Sequence, residues 1–202
     1  GWQQEHRAVW LPELIWYARH GYVCASVDYR LSADAPFPAC VEDVRTAIRF
    51  LRAHAAELCI DPSRIAIMGE SAGGYLASMA GLTADDPLPG DWASESSAVQ
   101  AVVDFYGKVD MGFGDHAADH AAELAAGSDP AVLSPVNRVT AGAPPFLILH
   151  GSEDPLVPIA ESELLYQRLT DCGVPADFYV LDGCGHGDGA FYQAEVRELV
   201  LD

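Results

Sequence analysis

Short runs of consecutive apolar residues alternate along this chain with longer stretches in which apolar positions recur every three or four residues. The runs Tyr22–Asp28, Ile65–Met68, Val99–Phe105, Phe146–His150 and Phe178–Leu181 read as buried strands. Between them, Val41, Val44, Ile48 and Leu51 mark one face of a helix over Ala39–His54. Leu164, Leu165 and Leu169 mark the inward face of a second helix over Glu161–Cys172. Strands that alternate with helices predict an α/β domain around a mostly parallel sheet of about five strands. The chain has 202 residues, half of them apolar, enough for one core and therefore for a single domain over residues 1–202.

One strand leads straight into chemistry. Ile65-Ala66-Ile67-Met68 runs into Gly69-Glu70-Ser71-Ala72-Gly73-Gly74, and Tyr75-Leu76-Ala77-Ser78-Met79-Ala80 then continues as a helix. A serine between two glycines at a strand-to-helix turn is the G-x-S-x-G nucleophile elbow. The small residues let the turn close, and the helix that begins at Ala72 aims free N–H groups and its positive end at the place where an oxyanion would form. Ala72 is therefore the first expected oxyanion donor.

A serine nucleophile needs a base, and the base needs an acid to orient it. Past the strand Phe146–His150 comes Gly151-Ser152-Glu153-Asp154-Pro155, a turn with an acid at its tip. Past Phe178–Leu181 comes Gly183-Cys184-Gly185-His186-Gly187. All three groups thus follow the C-terminal ends of strands, the edge where open parallel sheets bind ligands. The expected catalytic set is Ser71, Asp154 and His186. An imidazole base must be unprotonated to work, so activity should rise between about pH 6 and 8.

Several of these segments together resemble the α/β-hydrolase superfamily: Asp28-Tyr29-Arg30-Leu31, Phe37-Pro38, Glu42-Asp43-Val44, Asp61-Pro62, the elbow, Ser134-Pro135, Ala143-Pro144-Pro145-Phe146, His150-Gly151-Ser152-Glu153-Asp154 and Gly185-His186-Gly187. Within it the chain is most similar to serine carboxylesterases of the hormone-sensitive-lipase and feruloyl/acetyl-esterase-like type. The resemblance implies a three-layer α/β-hydrolase sandwich with a small cap or none, acyl transfer through a serine ester, and no cofactor or metal. Such esterases carry further N-terminal strands and a His-Gly-Gly-Gly-Trp loop that completes the oxyanion hole. By that comparison Gly1-Trp2 is the tail of the loop, with Gly1 as second oxyanion donor, and the sheet is N-terminally shortened. The third strand would normally lie between Tyr22–Asp28 and Ile65–Met68. Three arrangements answer its absence: a truncated chain, direct pairing of those two segments, or a homo-oligomer through the exposed sheet edge.

Net charge adds an exclusion. At −19, with Lys108 the sole lysine, the chain repels phosphate backbones and anionic lipid, so neither nucleic acid nor membrane is an expected partner. No stretch is long enough to span a bilayer. Five cysteines follow no metal spacing. Together with the lack of a visible signal peptide they lean towards a cytoplasmic setting, with secretion left open. Cys24 reads as a small buried hydrophobe, Cys184 as a small loop residue, and a Cys59–Cys172 bridge stays open.

The remaining candidates are weighed against plainer roles. Asp104, at the end of Val99–Phe105, is the alternative acid. His150 reads as a hydrogen-bonded structural histidine, and Glu70 as a prop beneath the elbow rather than a proton carrier. His116 and His120, four apart, read as a solvated polar helix rather than a metal face. Residues 107–130 break the strand–helix rhythm as a short cap or flap containing Met111 and Phe113. Trp2, Tyr75, Trp92, Tyr106, Leu156 and Val157 are candidate pocket walls, with core packing the competing role for each aromatic. A short cap favours small or exposed acyl esters, free or polymer-linked. The alternatives are an arylformamidase- or peptidase-like amide hydrolase, a polyester hydrolase, and a weakly active or non-catalytic binding protein on the same fold.

Overall fold

The computed structural model describes residues 1–4, 6–88, 90–112 and 128–201. Four strands, β1 (Ala66–Glu70), β2 (Ala101–Phe105), β3 (Phe146–Gly151) and β4 (Ala176–Leu181), form one parallel sheet in the order β1-β2-β3-β4. Among the described residues seven α-helices accompany them: α1 (Leu11–Arg19), α2 (Ala39–Ala53), α3 (Ala55–Leu58), α4 (Ala72–Leu82), α5 (Pro130–Leu133), α6 (Ala160–Asp171) and α7 (Ala194–Leu201). The expected α/β-hydrolase architecture is present in shortened form.

Alternation along the strands sorts the core into two layers. Val102, Phe146 and Ile148 face Val41, Val44 and Ile48 of α2, Leu76 and Met79 of α4, and Leu165 and Leu169 of α6. Val103, Phe105 and Leu149 face Phe191 and Val196 on the opposite side. Helix α4 lies close to the sheet because its inner face is built of small residues. A Cβ on Gly81 would stand 2.5 Å from Val102 Cγ2, and one on Gly74 would stand 2.3 Å from Asp104 Oδ1. Leu164, expected inward, is exposed, because the inner stripe of α6 runs through Glu161, Leu165 and Leu169 instead.

The expected fifth strand is not formed. Tyr22–Asp28 bears no strand pairing and buries none of its residues. It does not slide onto β1 either, since β1 pairs with β2 alone. Side chains from the N-terminal segment hold it instead. Arg7 N–H donates to Asp28 Oδ1 at 2.6 Å, the Arg7 guanidinium pairs with the same carboxylate, and Ser26 Oγ donates to Arg7 O at 2.8 Å. Between this segment and β1 lies a cavity of about 910 Å³, bounded by Ile67, Val44, Ile48, Leu76 and Val27. The gap foreseen in the middle of the sheet is thus a real opening along the free edge of β1.

Candidate active site

The three segments singled out in the sequence converge at the C-terminal edge of the sheet. Ser71 follows β1 directly with φ +52° and ψ −114°, a conformation rare for a residue with a side chain. Its own N–H is tied to Phe105 O at 2.9 Å. The turn tolerates no larger neighbour: a Cβ on Gly69 would meet Gly73 O at 2.3 Å. The elbow therefore needs its first glycine for close approach, and it lifts the serine hydroxyl clear of the sheet.

Ser71 Oγ lies 2.8 Å from His186 Nε2, and His186 Nδ1 lies 2.6 Å from Asp154 Oδ2. The carboxylate accepts, so Nδ1 carries the proton and Nε2 is left to accept from the serine hydroxyl. Asp154 has no exposed side-chain surface. Its other oxygen accepts the N–H groups of Leu156 and Val157 at 2.8 and 2.9 Å, which fixes the turn after β3 and satisfies the buried carboxylate. Such a relay can activate a hydroxyl for attack on an acyl carbon.

The competing candidates take structural places. Asp104 is fully buried against α4, accepting from Ser78 Oγ at 3.0 Å and from Gly107 N–H at 2.8 Å. Burial pushes its carboxyl up to about 6, partly offset by those two hydrogen bonds. His150 is buried, with Nε2 donating to Val157 O at 2.8 Å and Nδ1 2.7 Å from Ser162 Oγ, and burial pulls its pKa below the ordinary histidine value. Glu70 accepts the hydroxyls of Tyr106 and Tyr192. Tyr192 went unnoticed in the sequence, because nothing in the spacing of a lone tyrosine six residues past His186 announces a contact with the elbow.

Of the expected pocket walls, Tyr106 and Leu156 line the cavity that opens at Ser71 and His186, as does Gly1. Trp2, Tyr75 and Val157 are core residues instead. Trp2 packs edge-on against Tyr75 of α4 at 5.4 Å, and both are buried in the main core. Trp92 packs edge-on against Phe50 in the C-terminal half of α2, and it does not line the cavity at Ser71. Ala72 opens α4, so its N–H has no intrahelical acceptor. Phe113, His116 and His120, with most of the expected cap, lie outside the described residues. All five cysteines are free, so Cys59 and Cys172 are not bridged. Among the described residues no helix is long and apolar enough to cross a membrane, and no group of side chains is arranged to hold a metal ion.

The BD-FAE family model matches residues 12–169, most of the chain and two of the three relay segments. The chain belongs to the BD-FAE family. Its relatives are esterases. Esterase LipC of Mycobacterium tuberculosis is 37% identical over 192 residues, covering 86% of this chain and 48% of that protein. The chain thus spans about half the length of curated relatives that it matches. Among solved structures, the propionate-bound Est2 esterase of Thermogutta terrifontis superposes with a TM-score of 0.86 at 30% identity, over 100% of this chain and 77% of that one. An acetyl ester-xyloside bifunctional hydrolase from Caldicellulosiruptor lactoaceticus gives a TM-score of 0.85 at 29% identity, over 98% of this chain and 75% of that one. The parallel sheet with helices on both faces is therefore that of the α/β-hydrolase esterases.

Proposed function

We propose that the protein is a serine carboxylesterase acting on short-chain or exposed acyl esters. The observation that carries the reading is the continuous hydrogen-bonded path from Ser71 Oγ through His186 to Asp154. Ser71 Oγ attacks the acyl carbon while His186 Nε2 takes its proton. His186 then returns that proton to the departing alkoxide, leaving an acyl-serine. Water, deprotonated by the same nitrogen, attacks the acyl group, and Ser71 recovers its proton as the acid leaves. Asp154 keeps the proton on Nδ1 and stabilises the imidazolium. Ala72 N–H supplies one oxyanion donor and the Gly1 region the second. Since a lost donor in such sites costs roughly 2.7–4 kcal/mol, turnover depends strongly on how firmly Gly1 is held.

Two relatives support small acyl groups: the Est2 structure holds propionate, and the other solved neighbour acts on acetyl esters. Carbohydrate-linked acetyl esters are accordingly the first natural substrates to try. The unpaired edge of β1 supports association of two copies along it, as edge strands favour. The deciding experiment compares hydrolysis of p-nitrophenyl acetate, butyrate and octanoate by the wild type and by Ser71→Ala. The expected result is turnover that falls with acyl length and vanishes in the variant. Equal rates in the two proteins would overturn the proposal.

A further inference from the structure

Three tyrosine and carboxylate side chains beneath the elbow have no role in the relay just described. Tyr106 follows β2, directly beside the end of β1, since Glu70 and Phe105 are register partners. It is 1% exposed, and its backbone sits at φ +44°, held there by its N–H donating to Leu149 O at 2.8 Å. A bulky residue at positive φ is strained and persists only where its surroundings fix it. What fixes the ring is Phe191 on one side, 4.6 Å between centroids, and the carboxylate of Glu70, which accepts the Tyr106 hydroxyl at 2.5 Å. Tyr192 donates to the same Glu70 oxygen and lies 3.1 Å from the Tyr106 hydroxyl. Burial and the adjacent carboxylate raise both tyrosine pKa values, so both hydroxyls stay protonated and able to donate.

The ring held in this way stands against the base. Tyr106 and His186 have centroids 4.7 Å apart with their planes at 61°. The bonds from Nδ1 to Asp154 and from Nε2 to Ser71 lie in the imidazole plane and fix the two nitrogens only while both partners are in place. The ring can still turn about its Cα–Cβ and Cβ–Cγ bonds when the bond to Ser71 is broken during the reaction. A packed neighbouring ring opposes that turning, and Nε2 must stay aligned while it passes its proton from Ser71 to the leaving group.

We infer that Tyr106, anchored through its hydroxyl to Glu70 and Tyr192, is a positioning residue that sets the plane of the His186 imidazole. The residue next to the nucleophile is thereby coupled to the base: Glu70 holds Tyr106, and Tyr106 holds His186. The inference rests on the esterase reading above, and the test keeps the two separable. Tyr106→Leu removes the wall, Tyr106→Phe keeps the ring without its anchor, and Glu70→Ala and Glu70→Gln remove and retain the acceptor. With p-nitrophenyl acetate, Tyr106→Leu should lower kcat by roughly tenfold to a hundredfold with KM nearly unchanged, and Tyr106→Phe by a smaller factor. Glu70→Gln should recover most of the activity lost in Glu70→Ala.

The second readout is the downfield proton resonance of His186 Nδ1–H, sharp in the wild type and broadened in Tyr106→Leu, at a temperature where circular dichroism shows both folded. A Tyr106→Leu protein with unchanged kcat and an equally sharp proton would overturn the inference. So would a Glu70→Gln protein as impaired as Glu70→Ala. A wild type without Ser71-dependent turnover would refute the esterase reading, and the proton resonance would then judge the positioning role by itself.

Discussion

Asp104 offers a quantitative check on the electrostatics of the core. Its carboxyl, fully buried between α4 and the Gly107 turn, is pushed from 3.8 up to about 6. A folded-state pKa above the unfolded value means that the folded protein holds the proton more tightly. Stability from this group is therefore complete below about pH 4 and is lost as pH rises through about 6. A difference of about two pKa units, at 1.36 kcal/mol each, makes the ionised group cost about 3 kcal/mol above pH 7 and roughly half of that at pH 5. Asp104→Asn removes the charge and keeps the contacts: Oδ1 still accepts Gly107 N–H, and the amide donates to Ser78 Oγ, a hydroxyl able to accept. The variant should therefore be more stable than the wild type by about 3 kcal/mol at pH 8, an increase in Tm of roughly 6–12 °C for a chain of this size. Urea unfolding of both proteins at pH 5, 6.5 and 8 reads the difference directly. An advantage that is constant across this range, or that shrinks as pH rises, would refute the reasoning.

Two further outcomes are expected. Gly74→Ala places a Cβ 2.3 Å from Asp104 Oδ1 and 2.9 Å from Gly107 Cα, so it should destabilise by about 1–3 kcal/mol although alanine is the better helix former, and thermal unfolding reads the sign. If two copies pair along β1, light scattering at micromolar concentration should give twice the chain mass, whereas a monomer mass would remove that association.

The relay was legible because each of its members sits where a periodic signal breaks. Ser71, Asp154 and His186 each follow an apolar run at a glycine-bearing turn, and a parallel sheet brings such turns to one edge. The strand that failed, Tyr22–Asp28, has the right residues. Strand formation, however, is a property of pairs, and its neighbour is missing among the described residues. Leu164 misled for a related reason: the polar Glu161 occupies the inner stripe of α6 and is fully buried against Lys108 and the Val109 and Asp110 N–H groups, a partner set that no hydrophobic pattern reveals. For Trp2 and Tyr75, candidate pocket walls with core packing as the competing role, local spacing holds no information to decide, because each is buried against the other from a distant part of the chain. Tyr192 was invisible for the same reason, since its partner Glu70 lies 122 residues away.

The open edge meets the proposed relay at Ser71 and His186, but the relay is held by one half of the molecule, the paired sheet, and the segment that borders the opening by the other, and this bears on how the site can work. Ser71, Asp154 and His186 follow β1, β3 and β4, strands that lie in one continuous sheet together with β2. Their mutual geometry therefore depends on hydrogen-bonded ladders that the cavity does not interrupt. Ala72 belongs to the same half, through α4 and its close packing on β1 and β2. Gly1 does not. Its carbonyl accepts from the Tyr29 hydroxyl at 3.3 Å, and Trp2 O accepts from Ser32 N–H at 3.0 Å, so it is tethered to the segment on the far side of the opening. A perturbation that loosens this segment should thus leave proton transfer between Ser71 and His186 intact and weaken oxyanion stabilisation alone. The proposed nucleophile and base are secured by the sheet, whereas Gly1, the proposed second oxyanion donor, is only as secure as the chain that borders the gap.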